Sequence, residues 1–182
     1  LFIGAGVLAK SFRRLLDVDP GLDPRGVLTL DVFLPSTKYA ERHQVAASYK
    51  QLLESAAALP GVEAAGAVNV LPLAGNDTSN FVQIEGRPPL PPGQALRAGR
   101  GNVSADYFKA LRIPLKGGRG FPDSDSAEAP RVAVINEAMA RSFFPGEDPL
   151  GKRLRTGDNN PWVTVVGVAG DVRHRGLDVD VR

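Results

Sequence analysis

Apolar and polar residues change period several times along the chain. Residues 26–34, G-V-L-T-L-D-V-F-L, alternate and are closed by Pro35, the pattern of a half-buried strand. From Ala40 to Leu59 the period becomes helical. Val45, Tyr49, Leu52, Leu53, Ala56 and Leu59 make one stripe, which Pro60 and Gly61 end. Residues 62–73, V-E-A-A-G-A-V-N-V-L-P-L, read as a second strand, so 26–73 predicts a β-α-β unit with two parallel strands. Downstream the elements shorten. F-V-Q-I-E-G predicts a short strand, and the stiff run R-P-P-L-P-P-G (87–93) predicts a boundary between lobes. A strand near Leu96–Val103, a short helix over 104–111 and a turn at Gly117 and Gly118 come next. R-V-A-V-I-N (131–136) predicts a buried strand whose Asn136 caps a helix that Pro145 and Gly146 stop. The β-branched run from Trp162 to Asp171 predicts a last strand. Together these elements predict a mixed α+β fold, and no internal repeat is visible.

The first nine residues, L-F-I-G-A-G-V-L-A, are apolar, but as helix they reach only about 14 Å against the roughly 30 Å of a hydrocarbon core. Three readings compete: the end of a transmembrane helix, a clipped signal-peptide region, or a dinucleotide-binding turn using Gly4, Gly6 and Ala9. The turn lacks its second strand, since D-V-D-P-G-L-D-P comes next. A helix continuing to Leu16 and stopped by Pro20, Gly21 and Pro24 looks like one leaving a bilayer. A soluble helix burying Phe12, Leu15 and Leu16 is the alternative. Lys10, Arg13 and Arg14 favour a cytoplasmic side for this end, against an extracytoplasmic placement of the residues after it.

Composition narrows the chemistry. With 182 residues, 43% apolar and 23% charged, the chain can bury a core, which excludes disorder of the whole. Twenty-two basic against 20 acidic residues leave a formal charge of +2, too little for a nucleic-acid binder. There is no cysteine, hence no disulfide, thiolate nucleophile or cysteine zinc site. The chain starts at Leu1 and has its single methionine at Met139, the mark of a fragment or processed product.

Asp123, Asp125 and Glu128 alternate like calcium ligands but lack the glycine and distant glutamate such a loop needs, and read as a solvated loop. His174 stands between Arg173 and Arg175, where Asp171 could orient it as a general base. The flanking guanidinium charges lower its affinity for a proton, which favours a structural or surface role. An enzyme built on the pair would need Ser104, Ser142 or Thr164 brought in as nucleophile. His43 reads as exposed. Residues 97–119 carry six basic residues against Asp106, but Tyr107, Phe108 and Leu111 suit a core better than a nucleic-acid surface. No G-x-S-x-G or phosphate-binding G-x-x-x-x-G-K-[ST] occurs. No residue is assigned a catalytic, cofactor-binding or metal-binding role, and no cofactor is expected.

The order of several long strings carries a resemblance. S-F-R-R-L-L-D-V-D-P-G-L-D-P, V-L-T-L-D-V-F-L-P, L-P-G-V-E-A-A-G, V-S-A-D-Y-F-K-A-L-R-I-P-L-K-G-G-R-G-F, V-A-V-I-N-E-A-M-A-R-S-F-F-P-G-E-D-P-L-G-K-R and V-V-G-V-A-G-D-V-R-H-R-G-L succeed one another over nearly the whole chain. In wording and order they resemble the MacB-like periplasmic core domain of FtsX-type ABC transporter permeases, most of all the acidobacterial duplicated orphan permeases. The resemblance implies a non-catalytic extracytoplasmic domain inserted after the first transmembrane helix of a permease in the plasma membrane. Such a domain couples helix motion, driven by a separate cytoplasmic ATPase, to export of a substrate or to a periplasmic partner.

It further implies that residues 1–25 hold the end of a transmembrane helix, and the position of Pro20–Pro24 between that helix and the domain makes them the expected joint that passes movement to the strand at Gly26. Residues 26–73 would be a porter-like β-α-β lobe, and 74–182 a sabre-like mixed lobe with the start of a truncated return to the first. The implied partners are the cytoplasmic ATPase, a second permease copy, and a periplasmic adaptor or carrier, with the membrane engaged through the N-terminal helix. The rival reading is a soluble extracytoplasmic small-molecule-binding module, in which the proline run frames a cleft.

Overall fold

The computed structural model describes residues 10, 18–35, 37–39, 41–74, 79–88, 91, 95–121 and 130–177. The expected N-terminal helix, the Gly4-Gly6-Ala9 turn and the acidic group at 123–128 lie outside the described residues. The elements are α1 (Arg42–Ala57), β1 (Ser79–Ile84), β2 (Arg97–Gly99), α2 (Tyr107–Ala110), β3 (Leu115–Gly118), β4 (Val132–Asn136), α3 (Glu137–Phe143), β5 (Arg153–Thr156) and β6 (Val163–Ala169).

The run V-T-V-V-G-V-A makes β6 the centre of the sheet. One of its edges pairs in parallel with β4 from Val132↔Thr164 to Asn136↔Ala169. The other edge is shared by two antiparallel strands, β5 near its start and β3 near its end. The β4 register steps from Ala133↔Val165 to Val134↔Gly167, which leaves Val166 as the extra residue of a bulge. Beyond β5 the sheet continues through β1 to β2 at the edge.

Successive strand residues face opposite sides, so neighbours on β4 feed two cores. Ile135 joins Val82, Ile84, Leu154 and Val165 under Met139, Phe143 and Phe144 of the α3 region. Val134 packs instead with Tyr107, Leu111, Ile113, Ala169 and Val172. Burial there pushes the Tyr107 phenol up to about 12.

The helix predicted after Asn136 forms as expected: the Asn136 Oδ1 accepts from the Met139 amide at 3.0 Å. Asp171 completes the cap, its Oδ1 accepting from the Ala138 amide at 2.7 Å and its Oδ2 from Arg141 at 2.7 Å. An N-cap of this kind contributes about 1 kcal/mol.

Mixed α+β architecture is what the chain adopts, but its parallel β-α-β unit is not at 26–73. The parallel pair is β4 and β6, with α3 and the hairpin strand β5 between them. Residues 27–35 run without a ladder partner among the described residues, leaving Leu28 86% and Phe33 87% exposed. The segment 62–73 contributes one antiparallel bridge, Val68↔Val103. Alternation states which side chains share a face; it does not supply the neighbour whose amides and carbonyls complete a strand. For the same reason Gly117 and Gly118, expected as a turn, lie in β3, because the open edge of β6 takes them up. The central helix begins at Arg42, where the Gln44 Oε1 accepts from the Glu41 amide at 3.3 Å, and ends at Ala57.

Candidate functional site

The segment that leads into the domain is held against residues 171–173, just past β6. Asp19 Oδ1 accepts from the Gly21 amide at 2.8 Å, turning the chain, and the Pro20 carbonyl accepts from the Arg173 amide at 3.0 Å. Gly21 has φ 80, and a Cβ built there would stand 1.8 Å from the Asp171 carbonyl oxygen. Only glycine lets the two backbones come this close. Asp171 thus does two things: its backbone receives the lead-in segment while its carboxylate caps α3.

Two residues on, the Asp23 amide donates to the Leu111 carbonyl at 3.1 Å, fastening the segment to the end of α2. The Asp23 carboxylate takes Nε and Nη2 of Arg25 at 2.9 and 3.1 Å, and Nη1 of Arg112 at 3.4 Å. Arg112 also donates to the Arg25 carbonyl at 2.9 Å and to Glu63 at 3.3 Å. Leu22 and Val27 reach the margin of the second core. The Arg25 hydrogen bonds, with the Arg25 amide and both guanidinium charges, bring the Asp23 carboxyl down to about 2.

A folded pKa below the ordinary 3.8 means that ionised Asp23 stabilises the docked segment above about pH 4, and that this contribution is lost as pH falls toward 2. Carboxyl-resolved NMR titration is expected to place the Asp23 midpoint near 2. A midpoint near 4 would mean that the pairs are not held in solution.

The other candidates are spread through the fold. Asp171 is a cap and an ion-pair partner of Arg141, and Ser104 Oγ accepts from the Ala67 amide at 2.8 Å, so both have backbone-organising roles. Thr164 lies on β6 and Ser142 on α3. The basic stretch 97–119 is divided as expected: Tyr107 and Leu111 are core, Arg97 stacks over Phe81 at 4.5 Å, and Arg112 belongs to the lead-in site. Among the described residues no group of His, Asp and Glu could hold a metal ion. No helix among them is long and apolar enough to cross a membrane.

Residues 27–35 and α1 form a unit beside this site. The Tyr49 hydroxyl donates to the Val32 carbonyl at 3.3 Å, and between them lies an open cleft of about 300 Å³ lined by Val32, Leu34, Tyr39, Tyr49 and Leu52. Sequence reasoning passed over Arg112 because it sits among other basic residues. Its backbone lies in the left-handed region at φ 52, just past α2, and nothing near it in the chain announces partners at 23, 25 and 63.

Residues 10–181 match the family described as the MacB-like periplasmic core domain. The macrolide export ATP-binding/permease protein MacB of Marinobacter nauticus is 33% identical over 114 residues, covering 57% of this chain and 17% of that protein. The chain therefore spans about a sixth of the length of this curated relative. The periplasmic region of MacB from Actinobacillus actinomycetemcomitans superposes with a TM-score of 0.47 at 18% identity, over 67% of this chain and 50% of that one. The extracellular domain of the noncanonic ABC-type transporter YknZ from Gram-positive bacteria gives 0.44 at 20% identity, over 66% and 56%.

Proposed function

This chain belongs to the MacB-like periplasmic core domain family, and from that premise we propose that it transmits movement of a permease's membrane helices to a substrate or partner outside the membrane. The family is that of periplasmic domains of ABC transporter permeases, which are generally non-catalytic. The observation that carries the coupling role is the lead-in segment 19–25. It is fastened at Pro20 and Gly21 to residues 171–173, just past β6, and at Asp23 to the end of α2, so a pull on residue 18 reaches the sheet through two short connections. A rigid path of this kind is what a lever requires. In this reading the joint at Pro20–Pro24 passes force to Arg173 and Leu111 as well as to the segment after Gly26.

In this reading residues 26–73 are the porter-like lobe and 74–182 the sabre-like lobe. The exposed Leu28, Leu30 and Phe33 are covered by other polypeptide of the full-length permease. The domain works without catalytic residues or cofactor, is anchored through the N-terminal helix, and serves a transporter completed by a cytoplasmic ATPase, a second permease copy and a periplasmic adaptor or carrier. The rival, a small-molecule-binding module, rests on the cleft beside Tyr49. The family match over residues 10–181 favours the permease.

The test uses the full-length permease, otherwise free of cysteine, with Lys50→Cys on the exposed side of α1. A membrane-impermeant maleimide is expected to label it in intact spheroplasts, and trapping the ATPase with vanadate to change the labelling rate. Replacing residues 19–25 with glycine and serine should abolish that nucleotide response while labelling itself persists. Labelling only after lysis would overturn the location, and a response unaffected by the replacement would overturn the coupling.

A further inference from the structure

We infer that Arg112 is a latch that ties together the two feet of the arm formed by residues 28–35 and α1, so that arm and sheet move as one body while it is closed and pivot apart when it opens. The arm stands on two turns of the same design. In the first the Val27 amide donates to the Pro24 carbonyl at 3.2 Å with Gly26 at φ 72; in the second the Val62 amide donates to the Leu59 carbonyl at 3.2 Å with Gly61 at φ 85. Glycine at positive φ in the third position is what a type II turn requires. A Cβ built on either glycine meets nothing within 4 Å, so neither turn is wedged by packing.

Beyond the turns the arm is joined to itself but weakly to the sheet. The Tyr49 hydroxyl holds α1 to Val32, yet no described residue of α1 or of 28–35 contributes to either core. Arg112 reaches both feet from the sheet side. Its Nη1 donates to the Arg25 carbonyl inside the first turn at 2.9 Å, and its Nη2 to Glu63, two residues past Gly61, at 3.3 Å. The left-handed backbone at Arg112, φ 52, is disfavoured for a long side chain and is held by the Ile113 amide donating to the Phe108 carbonyl at 2.8 Å, which sets where the side chain leaves the chain. A planar fork that engages two separate chain segments with different nitrogens is a task lysine cannot perform. Glu63 is well exposed and its pair with Arg112 weak alone, which suits a contact that must open.

The latch lends the proposed coupling role its switch and rests on that reading for its purpose, but it is tested without it. In the full-length permease, spin labels at Lys50→Cys on α1 and Lys116→Cys on β3 report the arm-to-sheet distance. At rest, without nucleotide, one narrow distribution is expected. Arg112→Asn, which tolerates the left-handed backbone but lacks the fork, should widen it about twofold. Glu63→Gln, at an exposed site that cannot unfold the sheet, should widen it in the same direction and decides the matter if the first variant is not produced. Unchanged widths, or a resting distribution as broad as that of the variants, would overturn the latch. A narrow distribution that responds to the variants but never to vanadate trapping would instead count against coupling and leave the latch standing.

Discussion

Phe144→Ala is expected to cost about 3–5 kcal/mol, a large part of the stability of a domain this size. Phe144 is 2% exposed and lies just past α3, in the core that joins α3 to Val82, Ile84, Leu154 and Val165. Six elements, β1, β2, β4, β5, β6 and α3, meet through that cluster, so the truncated ring leaves a cavity that no single side chain can fill without leaving its own contacts. The ring also sits 5.4 Å from the Arg87 guanidinium, which donates to the Phe143 carbonyl and to Glu147, so the start of the proline run loses its backing at the same time. Trp162, the only tryptophan, stands one residue before β6 with Arg155 stacked 4.7 Å from its ring, and its fluorescence can follow a urea titration. A loss below about 1 kcal/mol would mean that this core is not packed as described.

Gly21→Ala is expected to detach the lead-in segment and leave the sheet intact. The added Cβ would lie 1.8 Å from the Asp171 carbonyl oxygen, and φ 80 is strained for alanine even in open space. Backbone stands on both sides of the collision, so rotating a side chain cannot relieve it. The segment must lift off, giving up the Pro20–Arg173 hydrogen bond. Hydrogen exchange at the Arg173 amide should accelerate on the order of 100-fold while the Val165 amide keeps its protection. In the full permease the nucleotide response at Lys50→Cys should disappear. Continued protection of Arg173 would show that the close approach at Gly21 is not what holds the segment.

Much of the local structure is legible in the order of residues. The stripe from Val45 to Ala56, the Asn136 cap, the β-branched runs of β4 and β6, and the core roles of Tyr107 and Leu111 can all be read there. Each depends on partners a few positions away, or on a period imposed by backbone geometry, so the information is local. The order of long strings likewise identified the family without any knowledge of pairing. The α+β class came from the mixture of periods.

Strand partners were a different matter. Residues 26–34 alternate as well as β1 does, yet β1 finds β2 and β5 while 27–35 finds no ladder among the described residues. R-L-R-T carries little strand signal, yet it becomes β5 because Leu154 fills the core below β6 and its backbone completes the edge. The site was hidden for the same reason. Nothing near Arg112 in sequence announces Asp23, Arg25 and Glu63 as its partners, and nothing near Asp171 announces Gly21. By itself the sequence determined where the main helices and the β-branched strands lie, the mixed α+β class, and to which family the chain belongs, because periodicity, capping and residue order act over short range. Tertiary structure alone decided which edges pair and which distant charges meet, because an amide or guanidinium takes the acceptor that the whole packed chain brings within about 3 Å of it, and that choice is made only when every competing surface is in place.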